Sequence, residues 1–500
     1  MLYQSTRGGV EKITAAEAIT KGLSDDGGLF VPESFPQISG DTIIDLSARP
    51  YSERAALVLG LFLDGFSEHE LSQYTSRAYS LNAFSHHDVA PVYRLHAGTY
   101  FLELWHGPTC AFKDIALQVL PLLLSASLRK TEEKREVCIL VATSGDTGKA
   151  ALEGFCDVPG TKIMVFYPLD GVSDVQKLQM TTQEGGNVNV VAVEGNFDDA
   201  QTGVKAIFSD EALRANLSGA GFFLSSANSI NWGRLVPQIA YYISAYCDLL
   251  ATGDIEPGDK INFCVPTGNF GNILAGYYAE RMGLPVNKLI CASNRNDVLA
   301  DFINTGVYDK NRHFYTTVSP SMDILVSSNL ERLLFELSGR DGDAVSGYMS
   351  ALSKTGQYEV PFAVSEELRR VFAAGRCSEE DTYKTIARAF NESDYLIDTH
   401  TAVAYKVLND YRSESGDDTP AVVISTASPY KFCDSVLEAL GQRSGAGGVE
   451  LIDMLQKYTG GTIPAPLATL NGKTQRFLES VPVGGMKTAV EQFLGVRSEE

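Results

Sequence analysis

From about residue 100 onward, short apolar and β-branched runs alternate with longer amphipathic stretches. The runs are Val137 to Ala142, Ile163 to Tyr167, Val188 to Val193, Ile261 to Val265, Leu289 to Ser293 and Ala421 to Ser425. Each has the length of a strand buried on both faces, and each is followed by a turn and then a helical periodicity. This rhythm predicts a parallel α/β sheet with ligand loops at the carboxyl ends of its strands. Residues 1 to about 95 are helical in pattern, with breaks at Asp25-Asp26-Gly27-Gly28 and near Pro32 and Pro36. The stretch from about 305 to 395 is charged and helical without a clear strand, which predicts an insertion or lid. There is no internal repeat and no low-complexity linker.

At 500 residues the chain is too long for one compact core, so two or three domains are expected. A net charge of -21, with 41 Lys and Arg against 62 Asp and Glu, argues against a nucleic-acid or acidic-membrane partner. An anionic ligand would therefore need donors gathered inside a cleft, against the global field. The eight cysteines include no CxxC pair, which speaks against a zinc site or disulfide framework and for reduced thiols in the cytoplasm; no metal is expected. The amino end has no apolar signal core, and the longest apolar run, Val119 to Leu128, is short and broken by Pro121, so no membrane span or export signal is expected.

Five segments carry chemistry, one of them Ser425-Thr-Ala-Ser-Pro-Tyr-Lys-Phe432, which places hydroxyls at the carboxyl end of the last strand. In His106 to Asp114, HGPTCAFKD, Lys113 has apolar neighbours in Ala111, Phe112 and Ile115. Burial of that kind lowers an amine's pKa and lets it attack an aldehyde to form a Schiff base. After Ile261 to Val265 comes Pro266-Thr-Gly-Asn-Phe-Gly-Asn272 and a helix start, a phosphate cradle of close backbone and free N–H groups. Thr143-Ser-Gly-Asp-Thr-Gly-Lys149 imitates a P-loop but has Thr143 where the first glycine belongs and Ala150 in place of the magnesium-binding hydroxyl. Ser144 and Thr147 remain as donors to a small anion. Asn228, Ser229, Asn231 and Arg234 cluster within Ser225 to Arg234, a set suited to a dianionic phosphate. Taken alone, Lys113 also reads as a surface lysine in a first helical turn, Arg234 as the partner of a surface carboxylate, and the other loops as ordinary turns and caps.

In their order along the chain, HGPTCAFKD, TSGDTGKAAL, ANSINWGR and PTGNFGNILAG resemble the threonine synthase family. So do Tyr3-Gln-Ser-Thr-Arg-Gly8, Gly22 to Pro32, Pro320 to Ile324, Ser328 to Arg332 and Asp398 to Val403, so the likeness runs nearly the whole length. The family uses pyridoxal 5'-phosphate to turn O-phospho-L-homoserine and water into L-threonine and phosphate. The resemblance implies fold type II, like the tryptophan synthase β chain: two open, mainly parallel α/β domains plus a helical N-terminal domain. The implied division is 1–95 for the N-terminal domain, 96–135 with 225–500 for the large cofactor domain, and 136–224 for the small α/β domain.

By resemblance, Lys113 carries the cofactor aldehyde and serves as catalytic base; Gly268, Asn269, Phe270, Gly271 and Asn272 hold the cofactor phosphate; Thr426 faces the pyridine nitrogen. Ser144, Thr147, Asn228, Ser229 and Arg234 take the substrate phosphate. Asp146 and Lys149 have no assigned role. Ser428 stands where the family often has histidine, and Cys110 and Trp105 where other apolar residues are common; Cys110 and His106 read as structural. A soluble cytoplasmic monomer or homodimer is expected. The alternative reaction on the same fold is a phospho-lyase or serine/threonine dehydratase giving 2-oxobutanoate.

Overall fold

The computed structural model describes residues 1–169, 171–442 and 445–496. Among these, two main sheets organise the chain. The larger has six strands in the order Phe372–Arg376, Val286–Ser293, Ile261–Pro266, Ala421–Ser425, Thr99–Glu103 and Val92–His96. Its strands are parallel except Val92–His96, which returns antiparallel to Thr99–Glu103. Ile261–Pro266 and Ala421–Ser425 lie at its centre and are buried at every position, which is why they read as unbroken apolar runs. The edge strand Val92–His96 keeps Arg94 and His96 in solvent, blunting further pairing.

The smaller sheet has five parallel strands in the order Ser480–Pro482, Val188–Glu194, Thr161–Pro168, Glu136–Ala142 and Phe222–Ser225. Its membership differs from the expected division, which gave everything beyond 225 to the large domain. Ser480 pairs with Ala192, and Met486, Ala489, Val490 and Leu494 of the helix Met486–Leu494 enter the core beside Leu140, Met164 and Val191. Burial of that apolar face draws the chain end back to the small sheet.

Two other expectations are corrected. The N-terminal segment is not wholly helical: Leu2–Ser5 pairs antiparallel with Ile13–Thr14 and Phe30–Pro32, and Val92–His96 already belongs to the large sheet. The 305–395 stretch contains strands, for Val307–Asp309 pairs with Gln357–Glu359 and Phe372–Arg376 forms the edge of the large sheet. These strands are three to five residues long, too short to imprint a period of two on the sequence.

The helix Trp232–Thr252 runs through the interior with most of its residues buried, including polar Gln238 and Ser244. Asn231 caps it by accepting from Gly233 N at 2.9 Å, and Gly253 ends it in the left-handed region at φ 71°. Trp232 packs its ring 5.3 Å from Tyr3, 5.6 Å from Phe62 and 6.0 Å from Tyr278, tying the N-terminal segment to the large domain. Thr143, Ser226, Thr267 and Thr426 each follow the carboxyl end of a strand, and all four line one cleft of about 1410 Å³. Among the described residues, no helix is long and apolar enough to cross a membrane.

Candidate active site

The loop before Lys113 is fixed by the neighbouring strand and its own turn. Leu104 N donates to Ser425 O at 3.0 Å, Phe112 N to Thr426 O at 2.8 Å, and Ser428 N to Cys110 O at 3.1 Å. Thr109 gives its N–H to Asp114 Oδ2 at 2.9 Å and its hydroxyl to Asp114 Oδ1 at 2.6 Å. Gly107 is required here, since a Cβ would stand 2.5 Å from the Asp114 side chain. Lys113 then opens the helix Lys113–Leu117 with its side chain buried. Its Nζ lies 3.2 Å from Asp146 Oδ2 and 3.3 Å from Ser321 Oγ. Burial lowers its pKa, Asp146 works against that shift, and the cations of Lys431 and Arg234 add to it.

Asp146 is shared between two ammonium groups. Its Oδ1 meets Lys431 Nζ at 2.7 Å and accepts from Gln176 Nε2 at 2.8 Å. Burial alone would raise its pKa, but Lys431 and Lys113 outweigh that and hold it far below the usual carboxylate range. Sequence reasoning left Asp146 without a role and missed Lys431, Gln176 and Ser321. The only trace was that Ser321 lies in the family-like segment Pro320 to Ile324 and Lys431 in the hydroxyl-rich segment Ser425 to Phe432.

Thr267 N donates to Ala292 O at 2.9 Å, and in the loop that follows, Gly268 to Asn272, carbonyls are engaged while the N–H groups stay free among the described residues. Gly268 O accepts from Ser327 Oγ at 2.7 Å, and Asn269 O from Asn329 N and Nδ2, both at 3.1 Å. No described residue accepts from the N–H groups of Gly268 through Asn272. Phe270 sits in the left-handed region at φ 62°, which turns the chain into the helix Gly271–Arg281. Asn272 Oδ1 accepts from Tyr241 at 2.6 Å and Tyr242 at 2.8 Å, while its Nδ2 is buried without a partner.

Across the cleft, Thr143 Oγ1 accepts from Gly145 N at 3.0 Å and Gly148 N at 2.9 Å, so the turn is held by Thr143 while Ser144 and Thr147 line the space. Asn228, Ser229 and Arg234 line it too. Arg234 is only 3% exposed; one guanidinium nitrogen donates to Ala227 O at 2.8 Å, and Nε has no partner. No described carboxylate pairs with it, and burial pushes its pKa down to about 10. A buried, unneutralised guanidinium with unused donors is a site built for an anion. Asn231, by contrast, is a helix cap.

Thr426 lines the cleft at the end of the strand Ala421–Ser425. His400, also unforeseen, accepts from Ser321 N through Nε2 at 3.2 Å, with Nδ1 2.7 Å from Asp398 Oδ2. His106 is bound to Glu103 Oε2 at 2.7 Å and stacks on Trp105, and Cys110 is a packed thiol pushed up to about 12 by burial. Away from the cleft, His86, His87 and Asp88 bring possible metal-binding atoms within 4.8 Å of one another, though His86 Nδ1 already accepts from Asp88 N.

These features fit a phosphorylated aldehyde. A buried lysine and a row of free backbone donors line one cleft, Asn272 Nδ2 is orphaned beside those donors among the described residues, and glycine at 268 lets the donor loop pack against the Ser321 carbonyl, where a Cβ would stand 2.5 Å away. The family model for pyridoxal-phosphate-dependent enzymes matches residues 86–427, so the chain is of that class. Models for the threonine synthase N terminus and C-terminal region match residues 2–79 and 401–486. The chain belongs to the threonine synthase family. It is 41% identical to threonine synthase of Pseudomonas aeruginosa over 91% of this chain and 94% of that one. It is also 41% identical to threonine synthase-like 1 of Homo sapiens over 86% of this chain, spanning 59% of that longer protein. The crystal structure of PLP-bound threonine synthase from Brucella melitensis superposes with a TM-score of 0.86 at 38% identity, covering 99% of both chains.

Proposed function

We propose that this chain converts O-phospho-L-homoserine and water into L-threonine and phosphate, with Lys113 as both the anchor for pyridoxal phosphate and the base. The free N–H groups of Gly268, Asn269, Phe270, Gly271 and Asn272 would hold the cofactor phosphate, and the Thr426 hydroxyl would serve as partner to the ring nitrogen. When bound, the cofactor supplies an electron sink for charge developing beside the substrate amine. A hydroxyl is too weak an acid to protonate that nitrogen firmly, so Thr426 leaves the sink milder than a carboxylate partner would.

The remaining work belongs to the chain. Burial lowers the pKa of Lys113 and so favours its unprotonated amine, the form that takes the proton at Cα. Arg234, Asn228, Ser229, Ser144 and Thr147 bind the substrate phosphate and stabilise it as it leaves from Cγ. Water then adds at Cβ, so the cleft must exclude it early and admit it late. The N-terminal segment forms one wall through Arg7, whose Nε and Nη2 both meet Glu331 at 2.9 Å.

The observation that carries this reading is Arg234, a buried cation in the cleft of Lys113 that pairs with no carboxylate among the described residues. It favours a phosphorylated substrate over a plain hydroxy amino acid. Support for a cytoplasmic setting comes from the eight free cysteines. A monomer or homodimer remains our reading of the assembly. Borohydride treatment of the yellow enzyme followed by peptide mapping tests the site: the cofactor should be fixed on Lys113, and fixation on another lysine would refute the assignment.

A further inference from the structure

Lys431 does not line the cleft, yet it is 0% exposed. Fully buried lysines are rare because desolvating an ammonium is costly unless it is paired. Here Nζ donates to Thr109 O at 2.9 Å and meets Asp146 Oδ1 at 2.7 Å, while the other oxygen of Asp146 lies 3.2 Å from Lys113 Nζ. The carboxylate therefore sits closer to the lysine behind it than to the one in the cleft. Gln176, at 2.8 Å, keeps Oδ1 turned toward Lys431.

The groups around Lys113 come from several elements. Its own helix gives Asp114, turned back onto Thr109. The helix Asp146–Phe155 gives Asp146, with Lys149 turned away to Glu153 at 2.8 Å. The helix Trp232–Thr252 gives Arg234, and the short turn Pro320–Met322 gives the Ser321 hydroxyl, backed by His400. Cys110 is a buried thiol, and the turn Pro429–Lys431 gives Lys431. Among the described residues, Asp146 is the sole carboxylate in contact with Lys113 Nζ.

We propose that Lys431 is a positioning residue that occupies Asp146 and so keeps that carboxylate from holding Lys113 as its ammonium. The inference rests on Lys113 being the reactive amine. Seen from Lys113, the Lys431 charge offsets part of the pull of Asp146, so burial remains the dominant influence on its proton affinity. Without the Lys431 charge, Asp146 would be left with Lys113 as its only cationic partner. A protonated Lys113 can neither attack an aldehyde nor take a proton from Cα.

The test is the pH dependence of Lys113 acetylation by acetic anhydride in the full-length enzyme stripped of cofactor, quantified by mass spectrometry. Lys431→Gln keeps a donor toward Asp146 but removes the charge. Labelling of Lys113 near pH 7.5 should fall roughly tenfold, equivalent to a rise of one pKa unit, and recover at higher pH. Asp146→Asn should move labelling the opposite way. The kcat profile of the Lys431→Gln holoenzyme should shift to higher pH with it. Lys431→Met serves if the glutamine variant folds poorly, with the same outcome expected. Labelling profiles that coincide with wild type, or that move in one direction for both substitutions, would overturn the proposal. If borohydride fixes the cofactor on Lys113 while the profiles stay put, only the role of Lys431 falls. Fixation elsewhere removes the assignment of Lys113 and this inference together.

Discussion

The carbonyl oxygen of Ser321 lies 2.5 Å from the point where a Cβ on Gly268 would stand. Ser321 also faces Lys113 through its hydroxyl and His400 through its N–H, so it cannot yield without disturbing the lysine. Gly268→Ala should therefore weaken cofactor binding by about 1 to 3 kcal/mol, the range for forcing an extra methyl into a packed site. Gly271→Ala should be milder, since its nearest neighbours would be 3.3 and 3.4 Å away. Cofactor titration followed by absorbance checks both; wild-type affinity in Gly268→Ala would contradict the packing argument.

Lys113→Ala should lower turnover by at least about 10² to 10⁴-fold, the usual worth of a positioned base, with loss of covalent cofactor attachment adding to it. The fold should survive, because Asp146 keeps Lys431 and Gln176 as partners. Phosphate release and far-UV circular dichroism together check this.

Replacing Arg234 with alanine should weaken O-phospho-L-homoserine binding by about 2 to 5 kcal/mol, as expected for loss of a desolvated charge partner. Its visible cofactor band should be unchanged, since the cofactor's donors lie in the Gly268 to Asn272 loop. Equal substrate affinity in variant and wild type would move the substrate phosphate elsewhere.

Asp417 links three elements of the large domain: its carboxylate accepts from Asn262 and Asn287 at 3.0 Å, Tyr411 at 2.8 Å and Thr419 N at 3.0 Å. Burial would raise its pKa, but these bonds prevail and bring it down to about 2. A carboxylate whose folded pKa is depressed contributes stability that is full above its unfolded value, about 4, and lost as pH falls through the folded one. Wild type should thus be more stable to urea than Asp417→Asn at pH 6, with the gap closing between about pH 4 and pH 2. A gap that stays constant down to pH 2.5 would show that the carboxylate charge is not what matters.

Much of the fold was legible because its central strands are buried on both faces. Ala421–Ser425 appears at the bounds its apolar run marks, and Glu136–Ala142 and Val188–Glu194 differ by one residue. Edge and short strands were illegible: Phe372–Arg376 carries Gly375 and Arg376, and Ser480–Pro482 has no alternation to reveal it. In the cleft, loops that announce themselves by composition, such as Gly268 to Asn272, could be picked out. Lys431 could not, because its burial depends on Asp146, 285 residues earlier, and no local pattern distinguishes it from a surface lysine. His400 was hidden likewise, since its partner Ser321 comes from a distant turn.

The most direct test of the account is to add O-phospho-L-homoserine to the purified yellow enzyme and assay threonine, phosphate and 2-oxobutanoate together. The account predicts threonine and phosphate in equal amounts, with a change in the visible spectrum on mixing. Phosphate accompanied by 2-oxobutanoate in place of threonine would contradict it.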